Sequence, residues 1–285
     1  MIRYNFAVFI ITHGRPNNQK TLNLLNEMGY TGPVYLVIDD EDETGEEYRE
    51  KYPNQVICFN KESYVANTDT GLHIPFKKFA VFARNAVEDI AREMGFAYFM
   101  VLDDDIINLR IRYDVDGSLK SRKLTGIIDE VFIACIKFMN NSGLHCTSFG
   151  FCNVYRSGVS CLYEENPRSR LCAEAFIRDT KIRVNWRLNM VEDLITSLDY
   201  IRAGMPWLQL VPIQVEICMS EGAVEGGNSE AYNNFGLFRL NFMPTIAYPD
   251  CNKVTFHHNK WHTTLASKYS VPKIISASFK KAPIE

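Results

Sequence analysis

An α/β fold, with a mostly parallel sheet flanked by helices, is predicted from three observations. Short apolar runs alternate with helix-period segments through the first hundred residues. Those runs are apolar at consecutive positions, as strands covered on both faces are. The run Tyr98-Phe-Met-Val-Leu-Asp-Asp-Asp105 then stops in three carboxylates, at the place where open α/β sheets put their ligands.

The elements follow in order. Phe6–Ile11 is a central strand. Asn17 to Gly29 reads as a helix with Leu22, Leu25 and Met28 on one side and a glycine stop. Val34–Ile38 is the second strand, an acidic helix follows, and Val56–Phe59 is the third strand. Phe76 to Gly95 is a long helix with Phe76, Phe79, Ala83, Val87, Ile90 and Met94 at helical spacing. Ala97–Leu102 is the fourth strand. Strands alternating with helices imply right-handed crossovers. Past Asp105 the pattern changes. Ile107–Tyr113 is a strand turning at Asp116-Gly117, and Leu124–Asn140 is a helix with Ile127, Ile128, Val131, Cys135 and Phe138 inward. Residues 144–187 hold short strands and basic loops. Leu194–Ala203 is a helix ending at Gly204, Leu208–Met219 is one bent strand or a pair, and 220–234 is a Gly/Asn/Ser-rich loop suited to closing over a ligand. No repeat or low-complexity linker interrupts the chain. One domain over 1–285 is expected, with a nucleotide-binding half (1–110) and an acceptor-binding half (111–285).

At 285 residues and 46% hydrophobic content the chain can bury a large core. A formal charge of −3 excludes an overall polycation. The charge is uneven, however. Residues 39–50 hold eight acids against Arg49, whereas 106–190 hold thirteen Lys/Arg against eight Asp/Glu. The eight cysteines form no C-x-x-C pair and several sit in apolar runs, which argues against a zinc ribbon and for a reducing cytoplasm. The N-terminus lacks a secretory-signal plan, and no apolar run is long enough for a membrane span.

Chemistry concentrates at the strand ends. In Thr12-His-Gly-Arg-Pro16, Thr12 and Arg15 can bond a base or a phosphate. Asp39 and Asp40 can accept from a uracil NH or ribose hydroxyls. Arg84 and Asn85 are polar interruptions on an apolar helix, suited to a diphosphate. Asp103, Asp104 and Asp105 are hard oxygen donors of the kind Mg²⁺ or Mn²⁺ takes. Glu192 and Asp193 stand at a helix start. Three histidines crowd into Phe256-His-His-Asn-Lys-Trp-His262, where Lys260 can pair with a diphosphate.

Taken together, Thr12…Arg15, Asp39/Asp40, Ala83-Arg-Asn85, Leu102-Asp-Asp-Asp105 and Glu192-Asp-Leu194 resemble the GT-A-fold glycosyltransferases, whose Rossmann-type core matches the predicted elements. The resemblance implies that Asp103–Asp105 act as the D-x-D element, with Asp105 on Mn²⁺ or Mg²⁺ and Asp103 on the metal or the ribose. It also implies a UDP-sugar donor, Asp193 as general base, Glu192 as an acceptor or sugar contact, and His258 or His262 as a further metal ligand. A retaining reaction would need no base at Asp193. The stretches Thr12-His-Gly-Arg-Pro16, Thr21-Leu…Gly29-Tyr-Thr-Gly32 and Val37-Ile-Asp-Asp-Glu-Asp42 with Tyr48 resemble, more closely, the TET/JBP-associated glycosyltransferases. That group includes phage enzymes that glycosylate 5-hydroxymethylpyrimidines in DNA. The implied partner is double-stranded DNA with a modified cytosine, in the host cytoplasm if the chain is a phage protein. Phosphate contacts are then expected among Arg110, Arg112, Lys120, Arg122, Lys123, Arg156, Arg168, Arg170, Arg178, Lys181, Arg183 and Arg187, and base stacking at Trp186 or the 232–235 stretch. A cytoplasmic glycan or protein acceptor, and a noncatalytic nucleotide-binding module, are the alternatives.

Overall fold

The computed structural model describes residues 4–71, 77–163, 175–189, 191–205, 207–218, 233–257 and 259–265. Its framework is a nine-stranded sheet in the order β3-β2-β1-β4-β8-β7-β9-β5-β6. The strands are β1 (Phe6–Ile11), β2 (Val34–Asp39), β3 (Val56–Phe59), β4 (Tyr98–Asp103), β5 (Ile106–Val115), β6 (Ser118–Lys123), β7 (Cys146–Gly150), β8 (Ala175–Asp179) and β9 (Leu208–Ile217). The helices are α1 (Lys20–Glu27), α2 (Gly45–Lys51), α3 (Lys61–Asn67), α4 (Ala80–Glu93), α5 (Ile128–Ser142), α6 (Glu192–Arg202) and α7 (Leu237–Ala247). A 3₁₀ segment covers Cys152–Leu162, and β10 (Asn252–His257) pairs with β11 (Lys260–Leu265) as a separate hairpin.

The strands of the first hundred residues are parallel, as predicted, with β1 between β2 and β4. Antiparallel β8 then joins β4 to β7, and β9 runs parallel to β7 before the β5–β6 hairpin completes the edge. One sheet therefore draws strands from both halves of the chain.

Strand alternation divides the core. Ala7, Phe9 and Ile11 of β1, with Phe99 and Val101 of β4, pack under α4 and α6. Val8 and Ile10, with Met100 and Leu102, pack under α1 and α5. Both faces are covered, which is why consecutive apolar residues were needed. Gly29 and Gly204 stop α1 and α6 as expected, at φ 80° and 79°, and Gly143, at φ 69°, does the same after α5. Asp116 and Gly117, at φ 51° and 79°, turn the β5–β6 hairpin.

One expectation is corrected, one falls partly outside the described residues, and one element was not foreseen. Phe138 is 36% exposed, and the inward face of α5 is instead Ile128, Phe132, Cys135, Ile136 and Met139. The long helix is described from Ala80, so its expected start at Phe76 lies outside the described residues. The seven-residue α3 had no apolar period to betray it; Asn60 caps it by accepting from Ser63 N at 2.9 Å. Among the described residues no helix is long and apolar enough to cross a membrane.

Candidate active site

The carboxyl ends of β1, β2 and β4 frame a cleft of about 370 Å³, lined among others by Thr12, His13, Arg15, Lys20, Asp39, Lys61 and Asp103–Asp105. The acidic turn after β4 is pinned from two sides. Thr21, at the start of α1, donates its hydroxyl to the Asp103 carbonyl at 2.6 Å and accepts from Ile106 N at 3.0 Å. On the other side Cys218 N, just past β9, donates to the Asp105 carbonyl at 3.0 Å.

The three aspartates are held differently. Asp104 is buried, and both its oxygens are taken: Thr12 Oγ1 donates at 2.7 Å and Arg15 Nη1 at 2.8 Å. Thr12 also meets the Tyr48 hydroxyl at 2.8 Å and accepts from Gln19 Nε2 at 3.0 Å. Thr12 and Asp104 therefore build the wall of the cleft, and Arg15 leans on Asp104 while reaching the cavity. Asp103 Oδ1, by contrast, is buried and accepts no hydrogen bond among the described residues; Arg84 Nη2 stands 3.6 Å away. Burial pushes the Asp103 carboxyl up, Arg84 opposes this, and Asp105, Asp104 and Glu192 add to it, so that it rests at about 7. Asp105 is likewise raised, by burial and by the charge of Asp104.

Asp39 is raised by burial but lowered by more from its partners, and ends below the usual carboxylate range. His13 Nδ1 lies 2.9 Å from one of its oxygens, and Lys61 Nζ donates to the other at 3.1 Å. Lys61 is only 4% exposed. Neither His13 nor Lys61 was expected in the site. Lys61 follows the end of β3 as Asp39 ends β2, so the strand-edge rule would have found it. Asp40 points elsewhere: it accepts from Asn60 Nδ2 at 2.6 Å and Lys61 N at 2.9 Å, tying β2 to the start of α3.

Behind Asp103 lies Arg84, buried on α4. Its guanidinium sits over the rings of Phe176 and Trp186, at 5.6 and 5.3 Å. Its Nε lies 3.2 Å from Glu192 Oε1, which brings α6 to the site. Val191, at φ 58°, makes the sharp entry into α6. Asp193 accepts from Leu194 N at 2.8 Å. Burial raises both Glu192 and Asp193 against the pull of Arg84. Asn85 does not face the cleft. Its amide donates to the Trp186 carbonyl at 2.8 Å and accepts from Trp186 N at 2.9 Å, so it fastens the 183–189 segment to α4.

Other expected residues lie apart. His262 and Lys260 stand on β11, whose hairpin packs against α7, and neither lines the cleft. His258 and most of the 220–234 loop lie outside the described residues. Among the described residues no three His, Cys, Asp or Glu side chains gather closely enough to hold one metal ion. Arg178 is fully buried against Glu88, at 3.1 and 3.3 Å, and is no phosphate contact. Arg183 pairs with Asp89 and Arg187 with Asp199. Trp186 is 1% exposed and is packing, not a stacking platform. Arg168 and Arg170 lie outside the described residues.

The site is thus a carboxylate-rich cleft at the carboxyl edge of the parallel strands, backed by a buried arginine, where open α/β sheets place their ligands. Residues 6–219 match the model of the TET-associated glycosyltransferase family. The chain belongs to that family and is a glycosyltransferase. No curated protein matches it. Solved structures give distant likenesses. Glucosyl-3-phosphoglycerate synthase from Mycobacterium tuberculosis, in complex with Mn²⁺, UDP and phosphoglyceric acid, is 12% identical over 94% of this chain and 89% of that one, with a TM-score of 0.46. The mannosyltransferase PcManGT from Pyrobaculum calidifontis, in complex with GDP-Man and Mn²⁺, is 11% identical over 86% and 74%, with a TM-score of 0.45.

Proposed function

We propose that the chain transfers a sugar from a UDP-linked donor, with Mn²⁺ or Mg²⁺, to the hydroxyl of 5-hydroxymethylcytosine in double-stranded DNA, in the cytoplasm. The observation that carries the donor half is Asp103, a part-exposed carboxylate that lines the cleft and whose buried Oδ1 accepts no hydrogen bond among the described residues. A buried acceptor of that kind calls for a partner, and Asp105 follows it on the same pinned turn. Small hard cations are held by one or two carboxylates together with substrate phosphates and water, not by all-protein cages. Two aspartates, with no third protein ligand gathered beside them among the described residues, fit that requirement. Such a cation, when bound, neutralises the diphosphate leaving group.

The chain's own groups supply the rest. Arg15 and Lys20 bring positive charge to the cleft for the diphosphate. Asp39, oriented by His13 and Lys61, offers an ionised acceptor for the uracil NH or a ribose hydroxyl. Asp193 takes the proton of the attacking hydroxyl, and its raised pKa suits a base. Glu192, fixed by Arg84, contacts sugar or acceptor. The DNA acceptor rests on the family and on the N-terminal motifs shared with enzymes of that group.

A nucleoside mass assay tests this. Protein, Mn²⁺ and a panel of UDP-sugars are incubated with DNA carrying cytosine or 5-hydroxymethylcytosine. A pentose or hexose increment on the hydroxymethylated DNA alone is expected. Metal-dependent UDP release without any increment would keep the donor assignment and overturn the acceptor.

A further inference from the structure

The β5–β6 ribbon closes one edge of the nine-stranded sheet, and the outer side of β6 pairs with no strand among the described residues. Five cations lie on it, Arg110, Arg112, Lys120, Arg122 and Lys123, against Asp114 and Asp116. Two of the five are engaged inward. Arg110 Nε lies 3.1 Å from Glu216 Oε2, and Arg112 sits over the Tyr155 ring at 5.0 Å. Asp114 is occupied as well, by Gly117 N and the Tyr163 hydroxyl. Lys120, Arg122 and Lys123 are exposed and pair with no described carboxylate.

The register sharpens this. Lys123 stands directly opposite Arg110, whose own charge is met from the β9 side by Glu216. Lys120 and Arg122 share one face, about 6.7 Å apart, with Lys123 on the other. β6 thus presents a row of positive charge along an edge of about 20 Å. A duplex offers one phosphate per strand about every 3.4 Å of its axis. The ribbon is also coupled to the cleft. β5 starts at the residue after Asp105, and the residue after β9 donates to the Asp105 carbonyl. The Arg110–Lys123 pair is five residues along from Asp105, roughly 16 Å, or about five base-pair steps.

We infer that the β6 edge seats the phosphate backbone of double-stranded DNA and so holds the duplex beside the acidic cleft. This rests on the reading of DNA as acceptor and names the surface that would grip it. The contact is electrostatic and independent of base sequence.

The test uses the full chain. The triple variant Lys120→Gln/Arg122→Gln/Lys123→Gln is compared with a control of equal charge change on exposed positions elsewhere, Lys137→Gln/Arg239→Gln/Lys253→Gln. Binding of a hydroxymethylated duplex is followed by fluorescence anisotropy from 50 to 200 mM salt, and sugar transfer is measured on the duplex and on free 5-hydroxymethyldeoxycytidine. The triple variant is expected to bind the duplex at least tenfold more weakly, with a salt slope shallower by roughly 2–3. Transfer to the duplex falls with binding, transfer to the free nucleoside stays, and the control remains within twofold of the parent chain. If the triple variant binds and modifies the duplex as the parent does, the inference is overturned while the acceptor stands. That result with new aggregation would make the three cations edge guards only. Tighter binding of duplex RNA than of DNA would also overturn it. A parent chain that neither binds nor modifies DNA would overturn the acceptor itself.

Discussion

Arg84 Nε lies 3.2 Å from Glu192 Oε1, joining two residues more than a hundred positions apart, while its Nη2 stands 3.6 Å from Asp103 Oδ1. One buried guanidinium therefore couples the acidic turn after β4 to the start of α6. It is the main positive charge opposing three raised carboxyls, those of Asp103, Glu192 and Asp193. The acidic turn of the cleft and the proposed base at the start of α6 are thus tied to a shared ion.

Removing that ion leaves buried carboxylates uncompensated. Arg84→Met is expected to lower unfolding stability by about 3–5 kcal/mol at neutral pH, the usual result of breaking a buried pair from one side. The deficit should shrink in acid, where the orphaned carboxyls can protonate. Urea denaturation at pH 5 and pH 8 checks both points. Equal deficits at the two pH values would show that Arg84 matters only through its packing on Phe176 and Trp186.

Asp103 makes a separate pH prediction for metal-free protein. Its folded pKa of about 7 lies above the unfolded value of 3.8. The folded state therefore holds this proton more tightly. The stabilisation is complete below about pH 4 and is lost as pH rises through about 7. Asp103→Asn, which cannot ionise, is expected to be more stable than the parent at pH 8 and to match it near pH 4. Chelator-treated samples in a denaturant series at several pH values decide it. A constant difference across the range would mean that the carboxyl does not titrate there.

Asp105 is tested through ligand linkage. A ligand that binds only the folded state stabilises by about 2.7 kcal/mol at a hundred times its Kd. Mn²⁺ with UDP should accordingly raise the melting temperature of the parent chain by several degrees. Asp105→Ala is expected to abolish that rise and turnover together. A normal rise in the variant would remove Asp105 from the metal assignment.

Much of this site was legible in one dimension. Asp39, Arg15 and Asp103–Asp105 all fall at strand ends, and strand ends are marked by where an apolar run stops. Arg84 stood out because a charge interrupts an apolar helix face. Polar pairings across long separations were not legible. Arg178 looks like any basic residue until β8 carries it under Glu88, and Arg183 and Arg187 look free until α4 and α6 supply Asp89 and Asp199. Lys61, just past the end of β3, was within reach of the strand-edge rule, but its pairing with Asp39, 22 positions away, was not legible. The separation of His262 from the aspartates depends on a hairpin that joins no strand of the main sheet, and clustering in sequence carried no trace of that.

Asn85 distinguishes a fastening role from donor contact. Both ends of its amide are used by the Trp186 backbone. Asn85→Ala leaves a buried N–H and carbonyl without partners, and is expected to cost about 1–3 kcal/mol of stability. The KM for the UDP-sugar should stay within about twofold, since no ligand contact is lost. A large rise in KM with unchanged stability would return Asn85 to the donor site.

Asp193→Asn separates binding from chemistry. The amide oxygen can still accept from Leu194 N, so the entry to α6 should hold. Donor affinity should not change, because donor charge is handled at Arg15, Lys20 and the aspartates. Transfer should slow by about 10²-fold or more, the usual contribution of a positioned base. The pH profile adds a second check. Because the Asp193 carboxyl is raised, the acid limb of kcat should fall at a higher pH than that of an ordinary aspartate, and the limb should vanish in the variant. A variant with normal kcat and an unchanged acid limb would remove the base role from Asp193. A retaining reaction, which needs no base at that position, would then account for the cleft better.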